Sequence, residues 1–312
     1  MKSRFFNGGW AVDTQIKTRA AIISVISNLF LMTAKFVAGV LSGSISVISE
    51  AIHSGNDLVA AVIALFAVKE SSKPPDEEHP FGHGKIENIS GTIEALLIFV
   101  AAALIIKEAI EKIRFGGETM EPTWGLVIMG VSTVLNLVVS NYLLKTGREH
   151  HSIALEADGM HLRTDVYTSL GVFIGLLLIK ITGLQIIDPI AAIVVAGLIV
   201  KAAYDLTRKA FVPLLDTSLE EHHLQEVQYV LAEHHYLYVE YHDLRTRRAG
   251  REAHIDLHLV IDARTSVQEA HDLCDSIEKS IGERVPFSSV LIHVEPDAEI
   301  KTIAGAAGRQ EF

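Results

Sequence analysis

Apolar residues come in long runs over the first two thirds of the chain and in short alternations over the last third. Between positions 16 and 211 the runs approach ~20 residues each, the length that crosses the hydrocarbon core of a bilayer. They predict six membrane-spanning helices at 18–40, 45–69, 86–113, 122–144, 154–181 and 189–209. The connections between them are short and polar, apart from a longer stretch over 71–84 that carries Pro74-Pro75. From Pro213 the pattern changes. Positions 218–233 and 266–281 have helical periodicity, whereas 238–247, 253–261 and 289–295 alternate as strands do. The order α-β-β-α-β predicts a small open sheet with its helices on one face. The expected organisation is an all-α six-helix membrane domain over 1–212, a compact α+β domain over 213–300 and an unstructured tail over 301–312.

Lysine and arginine placement orients the spans. Lys2, Arg4, Lys17 and Arg19 precede the first span, Lys69, Lys73 and Lys85 flank the loop after the second, and Lys145, Arg148, Arg208 and Lys209 follow the fourth and sixth. The opposite side has no charge at 41–44 and only Lys180 near the turn at 182–188. Lys107, Lys112 and Arg114 dissent, offset by Glu108, Glu111 and Glu118. Both termini are therefore expected in the cytoplasm. The 312 residues are 49% hydrophobic, with a formal net charge of −11. From Pro213 onward 19 acidic residues face 9 basic ones, so nearly all of that charge sits in the tail domain. An acidic domain rich in histidine suits cations and argues against nucleic acid. Cys274 is the single cysteine, which excludes an intrachain disulfide and a thiolate cluster. The start of the chain has no cleavable leader pattern, and the first span is expected to direct insertion.

Within the apolar runs, His53 and Asp57 stand four residues apart, and His161 and Asp165 repeat the spacing. Residues at i and i+4 share a helix face. Two such helices face to face would bring two imidazoles and two carboxylates to one point, a tetrahedral set for a zinc-like cation. Ionisable residues in mid-span are costly and mark function by default; interhelical hydrogen bonding is the plain alternative. Glu50 and Asp158 lie one turn from this quartet, outward and inward, as candidates for its access paths or for ion pairing, and Asn28, Asn136 and Asn141 read as helix contacts. A second candidate is the loop over 76–85, D-E-E-H-P-F-G-H-G-K, in which Asp76, His79 and His83 could hold a metal or simply be solvated. The third is in the tail domain: His242, His258 and His293 each sit on an expected strand, with Glu295 on the same face as His293. His271 lies on the second tail helix. His222, His223, His234 and His235 read as surface residues.

Taken together, the paired His-x-x-x-Asp, the loop D-E-E-H-P-F-G-H-G-K and the segments H-D-L-R-T-R and L-I-H-V-E-P resemble the cation diffusion facilitator family over nearly the whole chain. The resemblance implies a homodimeric antiporter of the bacterial cytoplasmic membrane, with a six-helix membrane domain and a cytoplasmic ferredoxin-like domain. It implies a transport site at His53, Asp57, His161 and Asp165, and a loop site at Asp76, His79 and His83. It also implies a binuclear tail site at His242, His258, His293 and Glu295, supported by His271, and an interdomain salt bridge between Lys85 and Asp216. Some bacterial members carry Asp where this chain has His53, a change associated with zinc-versus-cadmium choice. Others carry Asp where this chain has Glu295, which alters how a tail metal would be bridged.

The function expected is export of a divalent cation, Zn²⁺ before others, driven by inward proton flow through alternating access. Metal binding needs neutral imidazole and ionised carboxylate, so protons compete for the same groups. Histidine titrates near neutral pH, which makes His53 and His161 the expected coupling groups. Within the class, Mn²⁺, Fe²⁺, Cd²⁺ or Co²⁺ remain open as cargo. Outside it stands a membrane-bound metal sensor, which would need the tail histidines but not the buried quartet. No covalent step is expected, hence no enzyme, and no His-Glu-x-x-His motif of a metalloprotease occurs.

Overall fold

The computed structural model describes residues 7–42, 45–115, 123–182 and 186–297. The loop glycines Gly116 and Gly117, the charged Lys2, Arg4 and Glu118, and the tail expected to be unstructured over 301–312 lie outside the described residues. The chain falls into two compact units, Met1–Val212 and Pro213–Phe312.

The first unit contains the helices α1 (Asn7–Ser42), α2 (Ile45–Ser71), α3 (Lys85–Phe115), α4 (Thr123–Glu149), α5 (Ile153–Thr182) and α6 (Ile187–Phe211). Among the described residues, four stretches, Val12–Leu41, Glu50–Ser71, Lys85–Phe115 and Pro189–Leu215, are long and apolar enough to cross a membrane. The packing of the unit is inverted relative to a water-soluble bundle. Large side chains such as Ile26, Phe30, Phe66, Leu104, Val134 and Val194 point outward, while the interior is rich in alanine, including Ala20, Ala21, Ala60, Ala61 and Ala64. An apolar exterior of this extent marks a lipid-facing surface. Small residues inside let helix backbones approach closely where no hydrophobic force drives them together. At Gly159 on α5 an added Cβ would lie 3.0 Å from the Leu144 backbone nitrogen, so α4 and α5 nearly touch there.

Helix α5 is the centre of the unit and packs against all five others; α1 also lies along α2, and α3 along α6. Buried polar contacts hold one end. The Lys17 Nζ donates to Glu87 Oε1 at 2.8 Å, Ser71 Oγ donates to the same oxygen at 2.8 Å, and Ser152 Oγ donates to Glu87 Oε2 at 2.5 Å. One carboxylate thereby joins α1, the end of α2, α3 and the start of α5. Further along α1, Lys35 Nζ donates to Ser54 Oγ at 2.9 Å and to Glu50 Oε2 at 3.3 Å. The hydropathy pattern places the first helix at 18–40, yet it begins at Asn7. The polar residues that argued for a later start are answered elsewhere in the unit: Asp13 pairs with His150, just after α4, and Lys17 with Glu87 of α3.

The second unit runs α7 (Glu221–Glu233), β1 (Glu240–Ala249), β2 (Glu252–Ile261), α8 (Val267–Arg284) and β3 (Ser288–Pro296). The sheet order is β1-β2-β3, with β1 antiparallel and β3 parallel to β2. Strand β2 alternates as the sequence pattern expects. Ala253, Ile255, Leu257, Leu259 and Ile261 are buried against Val227, Val230 and Leu231 of α7 and Ile277 and Ile281 of α8. Both helices thus cover one face of the sheet. His254, Asp256 and His258 point to the other. Helix α8 starts on a capping box, in which Ser266 accepts from the Glu269 backbone N–H and Glu269 accepts from that of Ser266.

Candidate metal centres

The helix spacing of the membrane histidines and aspartates has a geometric outcome. His53 and Asp57 on α2 and His161 and Asp165 on α5 face one another where these two helices pack. His161 Nε2 lies 3.2 Å from Asp57 Oδ1, and His53 Nε2 lies 3.8 Å from Asp165 Oδ1 and 4.0 Å from Asp57 Oδ1. His53, Asp57 and Asp165 each place a ligand atom within 4.8 Å of the others; His161 joins them through Asp57. The site is closed on the α5 side, where His161 is buried, and open on the α2 side, where the His53 side chain is 52% exposed. His161 Nδ1 and Asp165 Oδ2 are buried without a hydrogen-bond partner. A buried polar atom left this way is costly unless something else completes it. Asn141 makes a helix-helix contact, its Oδ1 accepting from Arg163 at 2.5 Å across α4 and α5, whereas Asn28 Nδ2 donates to Ser24 Oγ at 3.5 Å within α1.

The loop after α2 closes on itself around Asp76. Its carboxylate accepts from the backbone N–H of His79 at 2.7 Å and of Glu78 at 3.1 Å. These amide bonds, His79 first, and the neighbouring imidazoles hold the Asp76 carboxyl below the usual carboxylate range. His79 Nδ1 stands 3.5 Å and His83 Nε2 3.4 Å from it. The turn depends on Gly82 at φ +79°, a left-handed conformation that favours glycine. Each of Asp76, His79 and His83 offers one ligand atom within 4.8 Å of the others.

Strand register builds the third group. His242 pairs directly with His258 on β2, and His258 with His293 on β3, so three imidazoles form a row across the open face of the sheet. Glu295 borders the row: its carboxylate lies 3.0 Å from His258 Nδ1, 3.6 Å from His242 Nε2 and 3.7 Å from His293 Nε2. His242, His258 and Glu295 form the tight ligand group, with His293 at its edge. His271 is not brought to it within the chain. It lies on α8, beyond the opposite face, 3.6 Å from Asp275. The expected partners Lys85 and Asp216 belong to different units, and Asp216 accepts from Arg247 at 3.3 Å inside the second.

The structure also gathers residues that the sequence pattern did not single out. Glu220, His222 and His223 place ligand atoms within 4.8 Å of one another at the start of α7, where the helical pattern suggested only surface histidines. Lys35 and Glu94 lie deep in the first and third apolar runs, both buried. The rule that a mid-span ionisable residue marks function would have flagged both.

Comparison with known families decides what these groups belong to. The model of the cation efflux transmembrane domain matches residues 21–215, and that of the cation efflux protein cytoplasmic domain matches 219–297. The chain belongs to the cation diffusion facilitator family. A transporter of Synechocystis described as uncharacterized is 36% identical over 276 residues, covering 88% of this chain and 89% of that one. The manganese efflux system protein MneP of Bacillus subtilis is 31% identical over 290 residues, covering 90% and 97%. A solved structure titled as the zinc form of the putative zinc transporter CzrB is 38% identical, covers 27% of this chain and 96% of its own, and has a TM-score of 0.26. As a member of this family the protein is an integral membrane exporter of metal cations, and its family is one of transporters rather than enzymes.

Proposed function

We propose that the chain exports Zn²⁺ in exchange for protons through His53, Asp57, His161 and Asp165. One observation carries the reading: two His-x-x-x-Asp pairs from α2 and α5 converge, with His53, Asp57 and Asp165 placing ligand atoms within 4.8 Å of one another, His161 Nε2 3.2 Å from Asp57, and Asp165 Oδ2 buried with no protein partner. Two imidazoles and two carboxylates match the nitrogen-and-oxygen tetrahedral preference of zinc. The same four groups bind metal only with the imidazoles neutral, so metal and proton exclude each other there. All six helices of the first unit span the membrane, both termini are cytoplasmic, and the site alternates between the two sides as helices rock. The protein works as a homodimer in a bacterial cytoplasmic membrane. The loop group Asp76, His79 and His83 and the tail group His242, His258, His293 and Glu295, with His271 in support, bind metal as regulators.

A second reading, Mn²⁺ as cargo, is favoured by the likeness to a protein described as a manganese efflux system. Against it stands the ligand set, because manganese prefers more oxygen than two carboxylates supply. Uptake of Zn²⁺, Mn²⁺, Fe²⁺ and Cd²⁺ into liposomes holding the purified protein, with a trapped pH dye, tests both parts. Zinc uptake should exceed the others and should move protons the opposite way. Faster Mn²⁺ uptake would overturn the choice of cargo, and zinc uptake with no proton movement would overturn the coupling.

A further inference from the structure

The second unit carries two pairs of adjacent histidines, and the fold uses them differently. His234 and His235 follow α7, and their rings are engaged by hydrogen-bond partners. His234 Nδ1 lies 2.9 Å from the Val230 carbonyl oxygen and its Nε2 3.3 Å from Ser276 Oγ, while His235 Nδ1 lies 2.8 Å from the Ala232 carbonyl oxygen. His222 and His223 stand in the first turn of α7, directly after its N-cap residue Glu220. An N-cap side chain ordinarily accepts from a backbone N–H two or three residues on. Glu220 makes no such bond. Its Oε2 lies instead 3.4 Å from His222 Nδ1. The His223 ring lies against that of His222, with centroids 3.8 Å apart. Each of the three residues offers a ligand atom within 4.8 Å of the others. The next carboxylate, Glu221, is held apart by Gln225, which donates to it at 3.3 Å. Arg248 of β1, whose charge reaches Glu220, donates to the Arg251 carbonyl oxygen at 3.3 Å.

Two imidazoles and one carboxylate are a donor set of zinc sites that keep a fourth position for water. Ligands ~2.0–2.1 Å from a tetrahedral ion stand about 3.4 Å from one another. Glu220 and His222 already have that separation, as do Asp76 and His83 in the loop. The His222 and Glu220 side chains are 64% and 71% exposed, so the remaining position opens to solvent. Nitrogen donors select a borderline cation over Mg²⁺, which takes oxygen ligands and keeps its waters. The acidic surplus of this unit draws cations toward it. We propose that Glu220, His222 and His223 form a further cation site of the chain, taking a borderline divalent ion such as Zn²⁺ with water in the open position. It is separate from the row of His242, His258 and His293, because α7 packs on the other face of the sheet. The three ligands come from four consecutive residues, so metal enters and leaves without any distant element docking. The row, by contrast, draws its ligands from three strands. The site holds metal reversibly on the surface of the second unit, whichever cation the membrane unit carries.

The test reads the site in the purified full-length protein at about pH 8, where histidine in water is mostly neutral. Diethyl pyrocarbonate modifies neutral imidazoles, and mass spectrometry of the digested protein reports His222 and His223 separately from His235. Zn²⁺ should slow modification of His222 and His223, about tenfold at ten times its half-protecting concentration, while His235 keeps its rate. Mg²⁺ should give no protection. Glu220→Gln should move half-protection to a zinc concentration more than about tenfold higher. The variant with His222→Ala and His223→Ala should bind about one Zn²⁺ fewer per chain in equilibrium dialysis, because one three-ligand site is gone. Modification of wild type that ignores Zn²⁺ overturns the inference. So does equal protection by Mg²⁺, which would be charge screening alone. Both are read on wild type and stand even if a variant fails to fold. Unchanged protection in Glu220→Gln overturns it as well, since the carboxylate would then be no ligand, and so does an unchanged zinc count in the double variant.

Discussion

Asp57 is the residue on which the membrane group closes, since His161 and His53 both approach the same oxygen of its carboxylate. Replacing Asp57 or Asp165 with alanine removes an ionised ligand and relieves the cost of a buried charge at once. Both variants should stay folded in the membrane and lose metal uptake by more than the roughly 10–100-fold that loss of an outer-sphere partner costs; vesicle uptake near the wild-type rate would remove the carboxylates from the role proposed. His53, half exposed at the open side of the site, is placed to tune choice of metal rather than to hold the site together. His53→Asp offers a harder ligand. It should let Cd²⁺ or Mn²⁺ through alongside Zn²⁺, read as competition in the same vesicles. At this scale the sequence showed whatever is local. The i, i+4 spacing exposed the quartet and the loop triad because a helix or a tight turn converts spacing directly into proximity. It did not show the Lys17–Glu87 pair, whose partners are 70 positions apart.

Helices and strands were legible wherever periodicity set them. The tail elements follow the expected order, and β2 alternates from Glu252 to Leu259. The first helix ran longer than hydropathy allowed because its polar start is neutralised by residues of α3 and by His150, which only packing reveals. The histidine row across β1, β2 and β3 depended on strand register, a non-local property that a single chain pattern does not encode. The connection from β2 into α8 has its own chemistry. Asp262 takes a bidentate contact from Arg264, at 3.1 and 2.8 Å, and also accepts from the Arg264 backbone N–H. The Arg264 side chain, chiefly, pulls the Asp262 carboxyl down to about 2. A depressed carboxyl contributes stability that is present above its ordinary value and is lost as pH falls through the depressed one. An NMR titration should therefore find Asp262 ionised well below the usual carboxylate range, and Arg264→Ala should raise it toward that range, with the backbone N–H contact still holding it somewhat below. Both groups are exposed, so the melting temperature at neutral pH should barely change.

At the scale of the molecule, the second unit builds its core from its own residues, from Leu219 to Val285. A fragment over 213–297 should therefore fold alone. Zinc that binds the folded fragment at about 100 times its dissociation constant adds ~2.7 kcal/mol, a rise in melting temperature on the order of 10 °C for a domain this small. His258→Ala with His293→Ala should abolish the rise and, in the full-length protein, slow uptake without stopping it. A fragment whose melting ignores zinc, or a double variant with no flux, would refute the regulatory role of the tail group.

The two lysines of α1 constrain how that helix can change. Lys17 and Lys35 are 18 residues apart, which at 3.6 residues per turn is about five full turns and a rise of about 27 Å. Both therefore leave the helix in the same direction, one into the Glu87 contact and the other onto Glu50 and Ser54. Inserting or deleting one residue anywhere between them would swing one lysine about 100° around the axis and strand its charge among apolar side chains. The interval can exchange one amino acid for another, but its length is fixed, and any motion of α1 during transport must carry both lysines as one rigid piece.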